Sequence, residues 1–255
     1  MKATKYFGRR LNGHEGWLFF AAVLLIWHLV TTYAPLRDPG LYPNIPTVLR
    51  ALWVSLPELL KGTWSSALIL VPGYTLAVVT GVAWGLLTGT TGRLQRAFVP
   101  FARAASPIPS TVYIPYAIAI FPTFKLSAIF VIFIGAFWPV FLNAAAGASA
   151  VPARYRENAG VLGLSSWQYL RLVVFPASLP HIFSGMGVGL VLSFILLTVA
   201  ELFGAHAGLG RFIQFYADYA DYPRMTAGIL YVGAVTYLSM EALDQVKKRA
   251  LFWLK

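Results

Sequence analysis

The chain has 255 residues, of which 58% are hydrophobic and only 11% are charged, and its mean hydropathy is +0.67. Soluble domains carry about 25% charged residues, so this composition excludes an ordinary water-soluble globule. Cysteine is absent, which excludes disulfides, thiolate catalysis and cysteine-based zinc sites. The net charge of +11 is explained by the basic inner loops of a membrane protein, without a nucleic-acid partner. The sequence therefore predicts one polytopic membrane domain over residues 1–255.

Successive apolar runs predict six membrane spans, because about 20 apolar residues cross a bilayer. The runs are 16–33, 63–91, 104–124, 126–153, 172–200 and 225–240. We take the first span as about 16–34, the core bundle as about 63–245 and the inner loop after the fourth span as 149–171. Prolines interrupt the third run, so we expect a broken or kinked helix there. They are Pro107, Pro109, Pro115 and Pro122.

Basic residues are distributed unevenly between the two sides of these spans. With the N-terminus inside, the inner side holds Lys2, Lys5, Arg9, Arg10, Arg93, Arg96, Arg154, Arg156, Arg171, Lys247, Lys248, Arg249 and Lys255. The outer side holds only Arg37, Arg50, Lys61, Lys125, Arg211 and Arg224. Because short cytoplasmic loops are enriched in Lys and Arg, both termini are predicted to be cytoplasmic.

Small residues recur at helical spacing in two of the spans. Gly81, Gly85 and Gly89 fall four residues apart in the second span, and Gly185 and Gly189 repeat this spacing in the fifth. In membranes, small residues allow the backbones of neighbouring helices to approach closely. The pattern predicts tight helix contacts and no role in solute binding.

The inner loop 149–171 predicts a short helix at the membrane surface. Pro152 suits the first turn of a helix, and Gly163 suits the residue that ends one. About three turns fit between them, with Tyr155, Ala159 and Leu162 on one face. Such an apolar stripe must be covered by the membrane surface, by the chain's own bundle or by a groove of a partner.

The next helix also has a start signal in this loop, because Ser165 and Gln168 match the capping-box pattern. Across the loop, residues 157–159 read Glu-Asn-Ala, Gly163 follows after three residues, and residues 173–176 read Val-Val-Phe-Pro after nine more. This run resembles the EAA motif of ABC importer permeases (Glu-Ala-Ala, three residues, Gly, nine residues, Ile-x-Leu-Pro). The Glu, the second Ala, the Gly and the Pro match in register, and the other positions are substituted.

The resemblance extends over roughly residues 43–245. Residues 106–115, 172–180 and 200–210 resemble the branch that imports nitrate, sulfonates, taurine and bicarbonate. Two positions depart from that branch: Ser106 stands where an Arg is common, and residues 120–122 read Ile-Phe-Pro in place of Trp-Phe-Gly. If that Arg helps anions to pass, its absence argues against an anionic solute.

The resemblance implies an all-α permease of the type I ABC importer fold in the bacterial inner membrane. This permease moves a small anion and is not itself an enzyme. The short inner helix would be a coupling helix that docks on a separate ATPase subunit. Its coupling residues would be Arg154, Tyr155, Arg156, Glu157, Asn158, Ala159, Leu162 and Gly163. Two permease copies, an ATPase dimer and an extracytoplasmic binding protein would assemble in the lipid. ATP and Mg would bind to the ATPase, and this chain would hold no cofactor or metal.

The solute path is predicted from irregular backbone and polar groups at membrane depth. Irregular backbone is tolerated there only inside protein or beside a water-filled cavity, and a carboxylate at that depth is costly and favours a functional interpretation. The predicted path residues are Pro107, Pro109, Ser110, Tyr113, Tyr116 and Glu201. Two alternatives stay open: a merely kinked packing helix for residues 106–115, and a gate or structural hydrogen bond for Glu201.

Two other classes of protein compete with the ABC permease. A secondary transporter would be driven by an ion gradient, and a membrane-embedded enzyme would need a cluster of catalytic groups. The sequence contains no G-x-x-x-x-G-K-[ST] phosphate-binding loop, so ATP hydrolysis would need another polypeptide. Its acidic residues form no cluster within the spans, which argues against an enzyme and against a proton relay.

Overall fold

The structure is a computed structural model that describes residues 14–33 and 40–254. Within that part, the chain consists of helices and turns and contains no strand. The helices are α1 (His14–Tyr33), α2 (Ile45–Thr90), α3 (Gly92–Ala105), α4 (Ile114–Ile120), α5 (Phe124–Ser149), α6 (Ala153–Val161), α7 (Ser166–Tyr169), α8 (Phe175–Gly204), α9 (Leu209–Asp218) and α10 (Tyr222–Ala250). The basic residues Lys2, Lys5, Arg9, Arg10, Arg37 and Lys255, and the end of the first predicted span, lie outside the described residues.

Helix α2 is much longer than the charge-free run that predicted it. It begins at Ile45, where the Asn44 side chain accepts a 3.0 Å hydrogen bond from the Thr47 backbone N–H. Its 46 residues extend about 69 Å, more than twice the roughly 30 Å of a hydrocarbon core. The run starting at residue 63 is only its second half. The charge-free run begins only after Glu58 and Lys61, but these charged residues lie inside the helix and do not interrupt it.

Four helical segments are long and apolar enough to cross a membrane, judged by length and composition over the described residues. They are Ile45–Thr90, Phe124–Ser149, Ser166–Gly204 and Tyr222–Ala250. The first and third predicted spans contain the shorter apolar helices Ala21–Tyr33 and Ser110–Ile120. A multi-pass membrane protein is therefore confirmed. The number of six spans and the side of each terminus stay predictions.

The third apolar run is broken, as its prolines predict. Helix α3 ends at Ala105, a 3₁₀ turn covers Ser110–Tyr113, and α4 is only seven residues long. Proline lacks the N–H that continues a helix, so several prolines in one segment leave short pieces. Helix α5 then begins at Phe124. The side chain of the preceding residue, Thr123, caps it by accepting a hydrogen bond from the Leu126 N–H.

Helix α5 lies between α2 and α8, and glycines allow both contacts. A Cβ on Gly81 would lie 3.0 Å from Val140 of α5, and a Cβ on Gly85 would lie 2.5 Å from the Ala144 Cβ. On the other side, a Cβ on Gly185 would lie 2.8 Å from the Pro139 carbonyl oxygen. The prediction of tight helix contacts at these glycines is confirmed.

Replacing Gly85 with alanine tests this packing. The new methyl group would also lie 2.8 Å from the Phe141 carbonyl oxygen, so α5 must move away from α2. We expect a loss of about 1–3 kcal/mol of stability, as overpacking usually costs, measured as a lower thermal midpoint of the purified permease. Gly233→Ala in α10 is the control, because nothing lies within 4 Å of its Cβ position. Equal midpoints for the two variants would contradict the close contact.

Candidate functional site

Helix α6 ends as the sequence predicts. Gly163 has a φ of +66°, a left-handed conformation that suits glycine. The Leu164 N–H donates a 2.9 Å hydrogen bond to the Ala159 carbonyl, and the Gly163 N–H donates to the Gly160 carbonyl at 3.1 Å. These two bonds form a Schellman motif. The predicted capping box is also present, with Ser165 and Gln168 each bonding the backbone of the other.

The end of α6 and the turn after it expose apolar side chains that no other described part of the chain covers. Val161 is 89% exposed, Leu162 is 74% exposed, and Trp167 of the following helix is 67% exposed. The predicted stripe is therefore divided: Ala159 is buried against the bundle, whereas Tyr155 and Leu162 face outward. Helical spacing placed the three residues on one side of α6, but it did not predict which of them the bundle covers.

Arg156 attaches α6 to the C-terminal end of α2. Its guanidinium Nη2 donates a 2.9 Å hydrogen bond to the Thr90 carbonyl, and the group lies 5.8 Å from the centre of the Tyr169 ring. A neighbouring contact joins α5 to the same end, since Ser149 Oγ donates to the Gly89 carbonyl at 3.3 Å. Arg156 is thus directed toward its own bundle.

The other polar side chains of α6 face away from the bundle. The Arg154 guanidinium lies 5.4 Å from the centre of the Tyr155 ring, and Glu157 and Asn158 are exposed. Within residues 40–254, Glu157 forms no hydrogen bond or ion pair. It also lies beyond the first turn of α6, where the helix dipole no longer acts strongly. Glu157 therefore lies too far from the N-terminus of α6 to stabilise it through the helix dipole.

A π-helical turn joins α7 to α8. It covers Leu170–Val174, and the Phe175 N–H donates to the Leu170 carbonyl five residues earlier. Pro176 follows and has no N–H to donate, which removes one regular bond from the ladder. The sequence did not predict this turn, although Pro176 was the one local signal for it. The loop that contains α6 is thereby continuous with α8.

Glu201 belongs to a buried hydrogen-bond cluster at the far end of α8. Its side chain has no exposed surface, Ser66 Oγ donates to Oε1 at 2.6 Å, and the Gly210 N–H donates to Oε2 at 2.7 Å. The Leu209 N–H donates to Ser66 Oγ at 2.9 Å. Gly208 has a φ of +140° and contacts the carboxylate so closely that a Cβ has no room. The cluster supports the structural alternative for Glu201.

The other predicted path residues lie in and around the 3₁₀ turn. Tyr113 packs against the core formed with α5 and α8, Tyr116 is 69% exposed, and Pro107 and Pro109 are exposed. The hydrogen bonds of Glu201 reach none of them. Their role in the path stays a prediction. Among the described residues, no three His, Asp or Glu side chains come together as a metal site requires.

Comparison with known proteins agrees with this architecture. Residues 73–250 match the family described as "Binding-protein-dependent transport system inner membrane component". The nitrate import permease protein NrtB of Synechocystis sp. is 31% identical, over 86% of this chain and 82% of the relative. The bicarbonate transport system permease protein CmpB of Synechococcus elongatus is 31% identical, over 84% of this chain and 81% of the relative.

More distant similarities point in the same direction. The putative aliphatic sulfonates transport permease protein SsuC of Bacillus subtilis is 26% identical, over 96% of this chain and 89% of the relative. A solved chain of the MetNI methionine ABC transporter in an inward-facing conformation superposes with a TM-score of 0.65 at 20% identity. The superposition covers 77% of this chain and 98% of that chain.

The chain belongs to the family of inner-membrane permease components of binding-protein-dependent ABC importers. It is a multi-pass inner-membrane protein with the type I ABC importer permease fold. It is not itself an enzyme, since ATP hydrolysis in this family is the work of a separate subunit. Its family works together with an ATPase and a solute-binding protein.

The Glu201 cluster generates a stability prediction. Glu201→Ala leaves the Gly210 N–H and the Ser66 hydroxyl without their acceptor, and unsatisfied buried polar groups cost about 1–3 kcal/mol each. We expect a clearly lower thermal midpoint for this variant. Glu58→Ala is the control, since it removes an exposed carboxylate with one hydrogen bond, from Tyr216, and such changes usually stay within about 0.5 kcal/mol. If Glu201→Ala were as stable as the control, the cluster would have no structural role.

Proposed function

We propose that this chain forms the membrane pathway of an importer for a small oxyanion, and that α6 couples this pathway to the ATPase subunit. The observation that carries the coupling role is the apolar patch of Val161, Leu162 and Trp167 at the end of α6, which is exposed although the helix is attached to the bundle on its other side. The oxyanion class rests on the relatives that are named for nitrate, bicarbonate and aliphatic sulfonates.

A groove of a partner protein explains the exposed surface of α6 better than the membrane surface or the chain's own bundle does. The bundle already contacts the inner side, through Ala159 and Arg156. A helix lying in the membrane surface needs a continuous apolar face, whereas α6 exposes Arg154, Glu157 and Asn158 along its length. A protein groove accepts both the apolar side chains and these charges.

Two attachments carry a movement of α6 into the bundle. Arg156 connects α6 to the end of α2, and the π-helical turn connects α7 to α8. Closure of the ATPase subunits on ATP would move α6, and α2 and α8 would move with it. The pathway would then change from inward-facing to outward-facing, and hydrolysis would reverse the change.

The complete transporter would contain two copies of this permease, an ATPase dimer and an extracytoplasmic binding protein in the lipid bilayer. The energy source is the ATPase, which would hold ATP and Mg, because this chain has no phosphate-binding loop in its sequence. All predicted coupling residues belong to this proposal. Val161 and Trp167 join them because of their exposure.

A charge placed on the outer surface of α6 tests the docking. Val161→Asp puts a carboxylate on an 89% exposed position, so folding should be unaffected while the apolar contact is lost. We expect the variant permease to retain its thermal midpoint but to lose most copurifying ATPase. Val246→Asp is the control: Val246 is 54% exposed near the end of α10, outside the segment formed by α6 and α7. Normal ATPase assembly of Val161→Asp would argue against docking through this surface.

Reconstituted vesicles test the energy source. With the permease, its ATPase and its binding protein present, uptake of nitrate, bicarbonate or an alkanesulfonate should require ATP and should persist when ionophores collapse ion gradients. An ATPase variant that binds but does not hydrolyse ATP should stop repeated transport. Uptake that follows a proton or sodium gradient without ATP would instead identify a secondary transporter.

A further inference from the structure

A cavity of about 350 Å³ lies at the opposite end of α8 from α6. One turn of α2, the loop after α8 and the first turns of α9 form its walls. Helix α8 has 30 residues and is about 45 Å long, so it crosses the whole hydrocarbon core. Because α6 contacts the cytoplasmic ATPase in the proposed function, the cavity opens on the extracytoplasmic side.

The charged side chains of this cavity are mainly basic. Lys61 of α2, His206 of the loop and Arg211 of α9 line it, and Glu58 is the one carboxylate among its lining residues. Within the described residues, Lys61 and Arg211 form no ion pair. The Arg211 guanidinium lies only 5.7 Å from the centre of the Phe215 ring. Two cations without a carboxylate partner therefore face one cavity.

Glu58 brings one negative charge to the cavity and is hydrogen-bonded to a side chain of α9. Its carboxylate accepts a 3.0 Å hydrogen bond from the Tyr216 hydroxyl. Removal from water and this hydrogen bond raise the pKa of the Tyr216 hydroxyl, so it stays a protonated donor. Lys61 and Arg211 carry two positive charges, which outnumber the single negative charge of Glu58.

The positive charge of the cavity comes from its basic side chains and not from the start of α9. The first N–H groups of α9 donate to Ser66 and Glu201, and the Glu201 carboxylate offsets the positive end of the helix dipole. An anion in the cavity would thus contact the ammonium of Lys61, the guanidinium of Arg211 and the imidazole of His206. Charge-assisted bonds of this kind are the strong ones.

We propose that Lys61, Arg211 and His206 form a capture site for the oxyanion at the extracytoplasmic entrance of the pathway. The inference rests on the proposed function, and it supplies the cationic group that Ser106 does not. The cavity has room for roughly ten water molecules at about 30 Å³ each. It therefore has room for an anion together with some of its water of hydration.

Cysteine protection tests the site without relying on transport. The chain has no cysteine, so Ala207→Cys introduces a single thiol into the lining of the cavity and removes none of its charges. The purified permease–ATPase complex in phosphatidylcholine nanodiscs is labelled with N-ethylmaleimide. Nitrate, bicarbonate or ethanesulfonate is present before the maleimide is added, and chloride keeps the ionic strength constant in the sample without oxyanion. Phe215→Cys, also in the lining, is a second reporter if the first does not assemble.

We expect the oxyanions to slow labelling roughly threefold at a concentration of about twice the dissociation constant. Lys61→Gln combined with Arg211→Gln should abolish this protection. Glu58→Gln should strengthen it, because it removes the opposing charge and keeps an acceptor for Tyr216. Lys125→Gln is the matched control: it removes an exposed lysine at the start of α5, outside the cavity, and should leave protection unchanged.

Three results would overturn the inference. One is a labelling rate that oxyanions do not change, in a complex that still takes up oxyanions with ATP. This result would leave the proposed function intact. A second is labelling that is slow only in nanodiscs containing phosphatidylglycerol and insensitive to added oxyanion, which assigns the cavity to a lipid headgroup. The third is labelling that slows only when the binding protein is present, at a rate that is the same with and without oxyanion. Protection by oxyanions in a complex without ATP-driven uptake would instead uphold the site and refute the proposed function.

Discussion

Close backbone contact of α5 with α2 and α8 is the constraint on which the other features depend. Lipid tails are as apolar as the side chains of the helices, so helix association in a membrane relies on van der Waals packing. Gly85 and Gly185 bring the two flanking helices against α5 from opposite sides. The positions of α2 and α8 relative to each other are thereby fixed, and both functional regions depend on them. Helix α6 contacts the C-terminal end of α2, whereas the cationic cavity lies beside the middle of α2 and the loop after α8.

Helix α2 is joined to its neighbours by polar contacts near its middle and at its C-terminal end. Ser66 binds Glu201 of α8, and the Thr90 carbonyl accepts the bond from Arg156. The 24 residues between these two positions correspond to about 36 Å, close to the thickness of a bilayer core. A buried carboxylate without a cationic partner is costly, and here the Ser66 hydroxyl and the Gly210 N–H offset that cost. The same cluster fixes the start of α9, and so one wall of the cationic cavity.

Local rules explain what the sequence could predict. The end of α6 at Gly163, the capping box at Ser165 and the packing glycines depend on neighbours within one or two helical turns, or on the absence of a side chain. The length of α2 was missed because charge was used to end an apolar run. The partner of Glu201 was missed because Ser66 lies 135 residues away. The cavity was missed for the same reason, since separate segments supply its basic residues.

The polar contacts between helices determine which parts of the subunit move together. Tyr74 of α2 donates a 2.9 Å hydrogen bond to the Met186 carbonyl of α8, and the Ser66–Glu201 bond joins the same two helices further along. Between α5 and α8, the described residues form no side-chain hydrogen bond, and the contact is one of packing alone. A displacement of α6 reaches α2 through Arg156, and α8 is bonded to α2 at two depths. In the proposed dimer, a force on α6 would therefore rotate the subunit largely as one body against the other copy, since packed cores respond by rigid displacement and not by gradual deformation.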